Sequence, residues 1–246
     1  MSQKRLIGRL DIKNSNLIKS INLEGLRIVG DPNKFAKSYY DQGIDELILM
    51  DVVATLYGRN YLSEILKKIT QEVFIPITIG GGVRSIADAK NLLLCGADKV
   101  AINSQAVKNP KFIKDLVREI GSQSTVVSIE AKEKKGYWEV FTSNGREQTG
   151  INVLEWIKKV IDLGAGEILL TSIDKEGTRS GFDNKLVEQA SKICNIPLIV
   201  SGGFGEKKHL DDLLQYQVDA IAIADCLHYN RHSITEIKEY LEKKYK

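Results

Sequence analysis

Two carboxylates set the chemical question. Asp11 closes the apolar run LIGRLD (6–11) and Glu130 closes STVVSIE (124–130). A pair of acids facing each other across a cleft is a natural general acid and general base; the plainer alternative is that each caps a strand end and holds a neighbouring Lys. Glycine turns follow two further apolar runs: Gly80-Gly81-Gly82 after IPITI and Gly202-Gly203 after IPLIVS. Without a Cβ, such a turn lets backbone N–H groups close on an anion, although glycine serves any tight turn equally well. Asn103 and Ser104, at the end of DKVAIN and the start of a helix, add donors beside the first glycine turn. Lys19, on the long connection after the first run, could close over a phosphate as a point charge. Two anion cradles with two acids between them suit a long ligand with a phosphate at each end.

These residues need a frame. Eight short β-branched runs recur, at 6–11, 46–51, 75–82, 98–103, 124–130, 167–174, 196–203 and 219–225. Their near-continuous apolar character fits parallel strands covered on both faces. Segments of helical period lie between them, at 60–73, 85–96, 109–121, 153–164 and 206–217, with Asn109-Pro110 as a helix start and Gly96, Gly121 and Gly164 as stops. Eight strand–helix units in 246 residues read as a (β/α)8 TIM barrel filling residues 1–246 as one domain. A doubly wound sheet is the structural alternative. Two connections exceed the usual length. Residues 12–32 show no strong helix, and 131–150 read as a hairpin turning at Asn144-Gly145. Both follow strand ends, the face where barrels keep their sites.

The chain also repeats itself. Pro76, Gly81, Gly82 and Asp98 return at a shift of 121 as Pro197, Gly202, Gly203 and Asp219, and Glu46 returns as Glu167; Asp11 and Glu130 align at a shift of 119. The repeat implies two half-barrels, about 1–120 and 121–246, with equivalent sites at their strand ends.

Composition excludes several classes. A net charge of +3 with well-mixed signs does not argue for nucleic acid, and no apolar stretch is long enough for a membrane span. The N-terminal residues meet charge too soon for a signal peptide, and the Lys-rich end EYLEKKYK reads as a solvated helix end. Three scattered cysteines (Cys95, Cys194, Cys226) support neither disulfides nor zinc, and the three histidines lack a ligand spacing, so neither metal nor organic cofactor is expected and a reducing cytoplasm is the expected home.

LDIKN (10–14), LIK (17–19), GDP (30–32), GIDELILMD (43–51), GGGVRS (80–85), GADKVAIN (96–103), GSQ (121–123), GAGEILLTSID (164–174), GT (177–178) and SGG (201–203) carry a resemblance over nearly the whole chain. It resembles the cyclase subunit of imidazole glycerol phosphate synthase. The resemblance implies that ammonia, made by a glutaminase subunit docked on the N-terminal barrel face, crosses the barrel and attacks a phosphoribulosyl-formimino aminoimidazole carboxamide ribonucleotide. Imidazole glycerol phosphate forms and the aminoimidazole carboxamide ribonucleotide leaves. It further implies that Asp11 and Glu130 share the acid–base work and that Lys19 closes the first loop. Gly81, Gly82, Asn103, Ser104, Thr171, Glu176, Gly177, Gly202, Gly203, Ala224 and Asp225 would hold the substrate. Arg5, Glu46, Lys99 and Glu167 match a ring of alternating charges that gates ammonia at the barrel floor. Four charges buried together are costly unless paired; four unrelated charges on the bottom rim are the plain alternative. Asp98 and Gln123 match positions on the glutaminase-facing side.

Three positions depart from that family's pattern. Glu130 and Glu176 stand where Asp is usual, and Asp225 stands where a small Ser is usual at a phosphate site. Asp225 either opposes a phosphate or caps a helix and faces away. Two other readings follow from the resemblance. A paralogue could pair with a glutaminase-like partner to pass ammonia to a sugar amidotransferase in surface-polysaccharide synthesis. The sister isomerase of histidine biosynthesis would need neither partner nor ring.

Overall fold

The computed structural model describes residues 4–54 and 62–245. The strand runs read from the sequence all form strands. In chain order the elements are β1 (Arg5–Lys13), β2 (Asn16–Ile21), β3 (Glu24–Gly30), α1 (Pro32–Asp41), β4 (Glu46–Asp51), α2 (Leu62–Ile69), β5 (Ile77–Gly80), α3 (Ile86–Leu94), β6 (Lys99–Ile102), α4 (Ser104–Lys108) and α5 (Lys111–Ile120). The second half continues with β7 (Thr125–Lys134), β8 (Tyr137–Thr142), β9 (Glu147–Asn152), α6 (Val153–Asp162), β10 (Glu167–Ser172), α7 (Asn184–Ile193), β11 (Leu198–Ser201), α8 (His209–Leu213), β12 (Ala220–Ile223), α9 (Asp225–His228) and α10 (Ile234–Tyr245).

β1, β4, β5, β6, β7, β10, β11 and β12 pair in that order, each parallel to the next, and β12 returns to β1. This is a closed eight-stranded barrel, not an open doubly wound sheet. Alternation along the strands divides two cores. Leu6, Leu10, Leu47, Leu49 and Ile221 face outward and pack with the helices. Ile7, Ile48, Ala101, Val126, Leu169, Ile199, Ala220 and Ala222 face inward and fill the barrel's middle. In β1 the inward set is therefore Arg5, Ile7, Arg9 and Asp11.

The repeat has a structural counterpart at the strand starts. Asp98 Oδ2 accepts from Ile77 N at 2.8 Å, and its equivalent Asp219 Oδ2 accepts from Leu198 N at 2.9 Å. Each carboxylate satisfies the first N–H of the preceding strand. Asp98, matched above to the glutaminase-facing side, thus has a structural duty in the barrel; Gln123 is exposed.

The elements correct several expectations. Residues 12–32 are not an irregular connection. They form an antiparallel hairpin, β2 and β3, hung on β1 just as β8 and β9 hang on β7. The missed turn is made by Asn22 and Leu23, both at positive φ (51° and 63°). Leu is a poor residue for that conformation, and Leu23 is held there by burial against Phe141 and Ile173. The Asn144-Gly145 turn is formed as read, with φ of 58° and 73°. Gly96, Gly121 and Gly164 do follow helix ends at positive φ. Asn109 does not cap α5 through its side chain; Pro110 occupies the cap position. The helix expected over 206–217 shrinks to the five residues of α8. Asn60 and Tyr61, the first residues of the helix expected over 60–73, lie outside the described residues.

Candidate functional site

At the C-terminal mouth, a cavity of ≈ 610 Å³ is lined by Arg9, Asp51, Gly81, Gly82, Asn103, Ser104 and Glu130, with Arg84 and Lys108 at its rim and Thr142 to Asn144 of the β8–β9 hairpin forming a wall. The structure thus brings the first glycine turn, the two donors after β6 and the fifth-strand acid into one space. Gly81 has φ of 100° and its equivalent Gly202 has φ of 98°; a Cβ at Gly81 would run into the Asp51 carbonyl. The turn demands glycine whether or not an anion sits on it. Asn103 Nδ2 donates to Phe141 O at 3.2 Å, and Ser104 Oγ accepts from Ser143 N at 3.1 Å, so both also hold the second hairpin.

Glu130 is buried. Its Oε2 accepts from Gly145 N at 2.8 Å, so the hairpin tip receives the longer acid. Burial drives its pKa up to about 7, against the pull of the Gly145 N–H and of Arg9. Near neutral pH it is poised to give or take a proton.

Asp11 is 1% exposed and does not line the cavity. Arg9, which does, is bonded to it: Nε donates to Asp11 Oδ1 at 2.9 Å. Nη1 of Arg9 donates to Thr171 Oγ1 at 2.9 Å and to Ser201 Oγ at 3.3 Å. Burial opposes the charge on Arg9, but Asp11, Glu176 and Glu130 outweigh it and raise its pKa. Arg9 is the residue the sequence reading missed. Its signal was there: an arginine at an inward-facing position of an otherwise apolar strand, two residues before Asp11. Thr171, expected to hold substrate, does not line the cavity; it is buried in the barrel interior as Arg9's partner.

The second half of the mouth is arranged differently. Lys19, expected on a loop free to close over a phosphate, lies on β2. It is 3% exposed, and its ammonium is bonded to Glu176. The first hairpin is pinned there as well: Asn22 N donates to Glu176 O at 2.8 Å, and Asn22 Nδ2 donates to Ile173 O at 2.9 Å and Asp174 O at 3.0 Å. Gly177, at φ 74°, has no room for a Cβ beneath the Ser20 carbonyl of the same hairpin. Gly202, Gly203, Ala224 and Asp225 lie outside the cavity. Asp225 is not the helix cap; Ala224 holds that position and Asp225 begins α9. Asp225 Oδ1 stands 3.6 Å from Nε of Arg179 and 3.6 Å from Nε of Arg231. Neither arginine was singled out in the sequence. They lie on loops after β10 and α9, where spacing carries no signal.

At the opposite face, the four floor charges close into a ring. Arg5 Nη1 bonds Glu46 Oε1 at 2.6 Å and Arg5 Nη2 bonds Glu167 Oε1 at 2.6 Å; Lys99 Nζ bonds Glu167 Oε2 at 2.7 Å and reaches Glu46 Oε2 at 3.6 Å. They begin β1, β4, β6 and β10, so adjacency follows from strand order, and the reading as four unrelated charges falls. Above the ring comes the apolar layer around Ile7, and above that Arg9 and Asp11.

Among the described residues, no group of three or more His, Cys, Asp or Glu could hold a metal ion. No helix among them is long and apolar enough to cross a membrane. The three cysteines are free thiols. His228 is buried with Nδ1 2.6 Å from Tyr39 Oη, and burial lowers its pKa to about 3.

Fold and site together define a (β/α)8 barrel of two matched halves, with two buried carboxylates toward its mouth and a closed ring of charge at its floor. The family model described as "Histidine biosynthesis protein" matches residues 5–233. The subunit HisF of imidazole glycerol phosphate synthase from Legionella pneumophila is 62% identical over 207 residues, 84% of this chain and 98% of the relative. The protein of the same name from Dehalococcoides mccartyi strain BAV1 is 45% identical over 245 residues, 99% of this chain and 97% of the relative. That from Exiguobacterium sibiricum is 41% identical over 242 residues, 98% and 97%. The chain belongs to the histidine biosynthesis family and, within it, to the HisF-type subunits of imidazole glycerol phosphate synthase.

Proposed function

We propose that the chain is the cyclase subunit of imidazole glycerol phosphate synthase. It takes ammonia and a phosphoribulosyl-formimino aminoimidazole carboxamide ribonucleotide, and it releases imidazole glycerol phosphate, the aminoimidazole carboxamide ribonucleotide and one water, which carries away the ketose oxygen when the ring closes. The observation that carries the reading is vertical: a closed charged ring at the floor, an apolar layer, and two acids at the mouth share one barrel interior.

The residues divide the work as follows. Gly81, Gly82, Asn103 and Ser104 hold one phosphate with backbone and side-chain donors, helped by Lys108 at the rim. Gly177, Gly202, Gly203, Ala224 and Asp225 frame the place of the other phosphate. There Arg179 and Arg231 are engaged by Asp225, and the substrate must compete with that carboxylate for them. Lys19 and Glu176 fasten the first hairpin over this end. Ammonia passes Arg5, Glu46, Lys99 and Glu167, then attacks near Asp11. Asp11 accepts a proton from the attacking nitrogen, and Glu130, with its pKa near 7, delivers one to the departing aminoimidazole amine and, as the ring closes, helps protonate the ketose oxygen that leaves as water.

The partner is a HisH-type glutaminase, the two forming a heterodimer across the N-terminal face. The ring opens on that face. Phe74, on the connection into β5, and Leu94, the last residue of α3 before β6, are 74% and 87% exposed and approach the same rim, an apolar offering beside a charged port. A cytoplasmic location and a chain acting as one domain belong to the same reading.

Glutamine-driven turnover with the glutaminase, compared with turnover on an ammonium salt, tests the path. Lys99→Ala should depress the first by roughly tenfold or more while leaving the second within about twofold. Equal losses in both would reject passage through the ring.

A further inference from the structure

Arg9 is the group that the proposed reaction does not yet use. Its guanidinium is buried in the barrel's interior, yet it lines the mouth cavity. It is fixed from two sides, by Asp11 through Nε and by Thr171 and Ser201 through Nη1. Among the described residues no group bonds its Nη2. Asp11 shows the matching feature: Oδ1 is taken by Arg9, while Oδ2 is buried with no hydrogen-bond partner. A buried carboxylate oxygen left without a protein donor needs one from a bound water or a ligand. The ligand must be small enough to enter the interior and must bring N–H or O–H groups. It should also offer a lone pair to the adjacent guanidinium. Neutral ammonia has three donors and one lone pair, and on the path proposed above it reaches this spot from the ring at the floor.

We propose that Arg9 is a positioning residue: clamped by Thr171 and Ser201, it holds Asp11 by one oxygen and reserves the other to seat ammonia. This rests on the cyclase reading above. The seat stands between the apolar layer at Ile7 and the cavity, so ammonia is ordered before it meets the substrate. Groups facing Arg9 from the other elements are Glu130 on β7, Glu176 after β10, and the hydroxyls of Thr171 and Ser201; Lys19 is tied up by Glu176. The attractive field of Arg9 also restrains the proton affinity of Glu130.

The test uses ammonium-driven turnover by the whole chain, with Arg9→Met and Arg9→Lys. Arg9→Met should raise the KM for ammonia by roughly tenfold or more while the nucleotide KM stays within about twofold, since a misplaced reacting group costs rate steeply. The pH limb owed to Glu130 should move upward. Arg9→Lys, which keeps the charge and loses the fork, should recover part of the loss. Unchanged ammonia KM and pH limb in a folded variant would overturn the proposal, as would an equal rise in both KM values. A second measurement needs neither turnover nor a variant that folds: the 13C carboxyl resonance of Asp11 in the wild-type chain, titrated with ammonium chloride at alkaline pH against potassium chloride. A shift specific to the ammonium salt supports the seat, and none overturns it. If the wild-type chain shows no turnover, the cyclase reading fails, and the resonance alone decides the seat.

Discussion

The two ends of the mouth come from one repeated half-barrel and have opposite characters. Gly81 and Gly202 have nearly the same φ, and each half hangs an antiparallel hairpin on its first strand. Yet the first-half cup opens on a cavity with Glu130 at its wall, whereas the second-half cup is filled with the chain's own charges, Lys19 on Glu176 and Asp225 between Arg179 and Arg231. The backbone cradle is what the repeat conserves internally. Whether it is empty or occupied is decided by side chains on the loops above. A repeat therefore locates two sites without making them equivalent.

The comparison can be broken first at the acids. Asp11→Asn or Glu130→Gln should cut turnover on ammonium salt by about 10²–10⁴ with the barrel intact by circular dichroism; full turnover in either variant would remove that acid from the mechanism. At the filled end, Lys19→Met should destabilise the fold by about 3–5 kcal/mol in denaturant unfolding, because it strands buried Glu176. Lys19→Met combined with Glu176→Met should restore most of that loss. A mild effect of the single change would mean the end is open in solution.

Glu130 gives a third test, with its sign fixed by linkage. Its folded pKa is raised to about 7 from an ordinary value near 4.5. Its protonated burial therefore favours the fold most below pH 4.5, and the benefit is lost as pH rises through 7. Glu130→Gln should thus be more stable than the wild type at pH 8, by on the order of 3 kcal/mol, with the gap closing toward pH 5. A constant gap across that range would place the carboxyl in water.

The smallest expected effect is at Asp225. Asp225→Ser removes the internal competitor for Arg179 and Arg231, and should lower the nucleotide KM by roughly tenfold or less, the worth of one charge-assisted contact. A higher KM would show that Asp225 orders the arginines for the substrate instead of against it.

Much of this was legible in the sequence because strand order is. The apolar runs gave the barrel, and placing Arg5, Glu46, Lys99 and Glu167 at strand starts was enough to bring them together. Glu130 and the first glycine turn were placed by strand ends. What escaped was decided by tertiary contact. The β2–β3 hairpin turns on Asn22-Leu23, where Leu is kept in an unfavourable conformation by burial against Phe141 and Ile173. Lys19 reads as a loop cation until that hairpin buries it on Glu176. Arg9 was hidden inside an apolar run, and only the inward parity it shares with Ile7 and Asp11 marks it. Arg179 and Arg231 sit on loops that no periodicity governs.

The most direct test is to give the chain alone, without a glutaminase, the bisphosphate nucleotide and an excess of ammonium salt, and to follow imidazole glycerol phosphate. The account predicts its formation together with the aminoimidazole carboxamide ribonucleotide, in equal amounts, with a pH profile carrying a limb near 7. A folded chain that binds the nucleotide and makes neither product would contradict it.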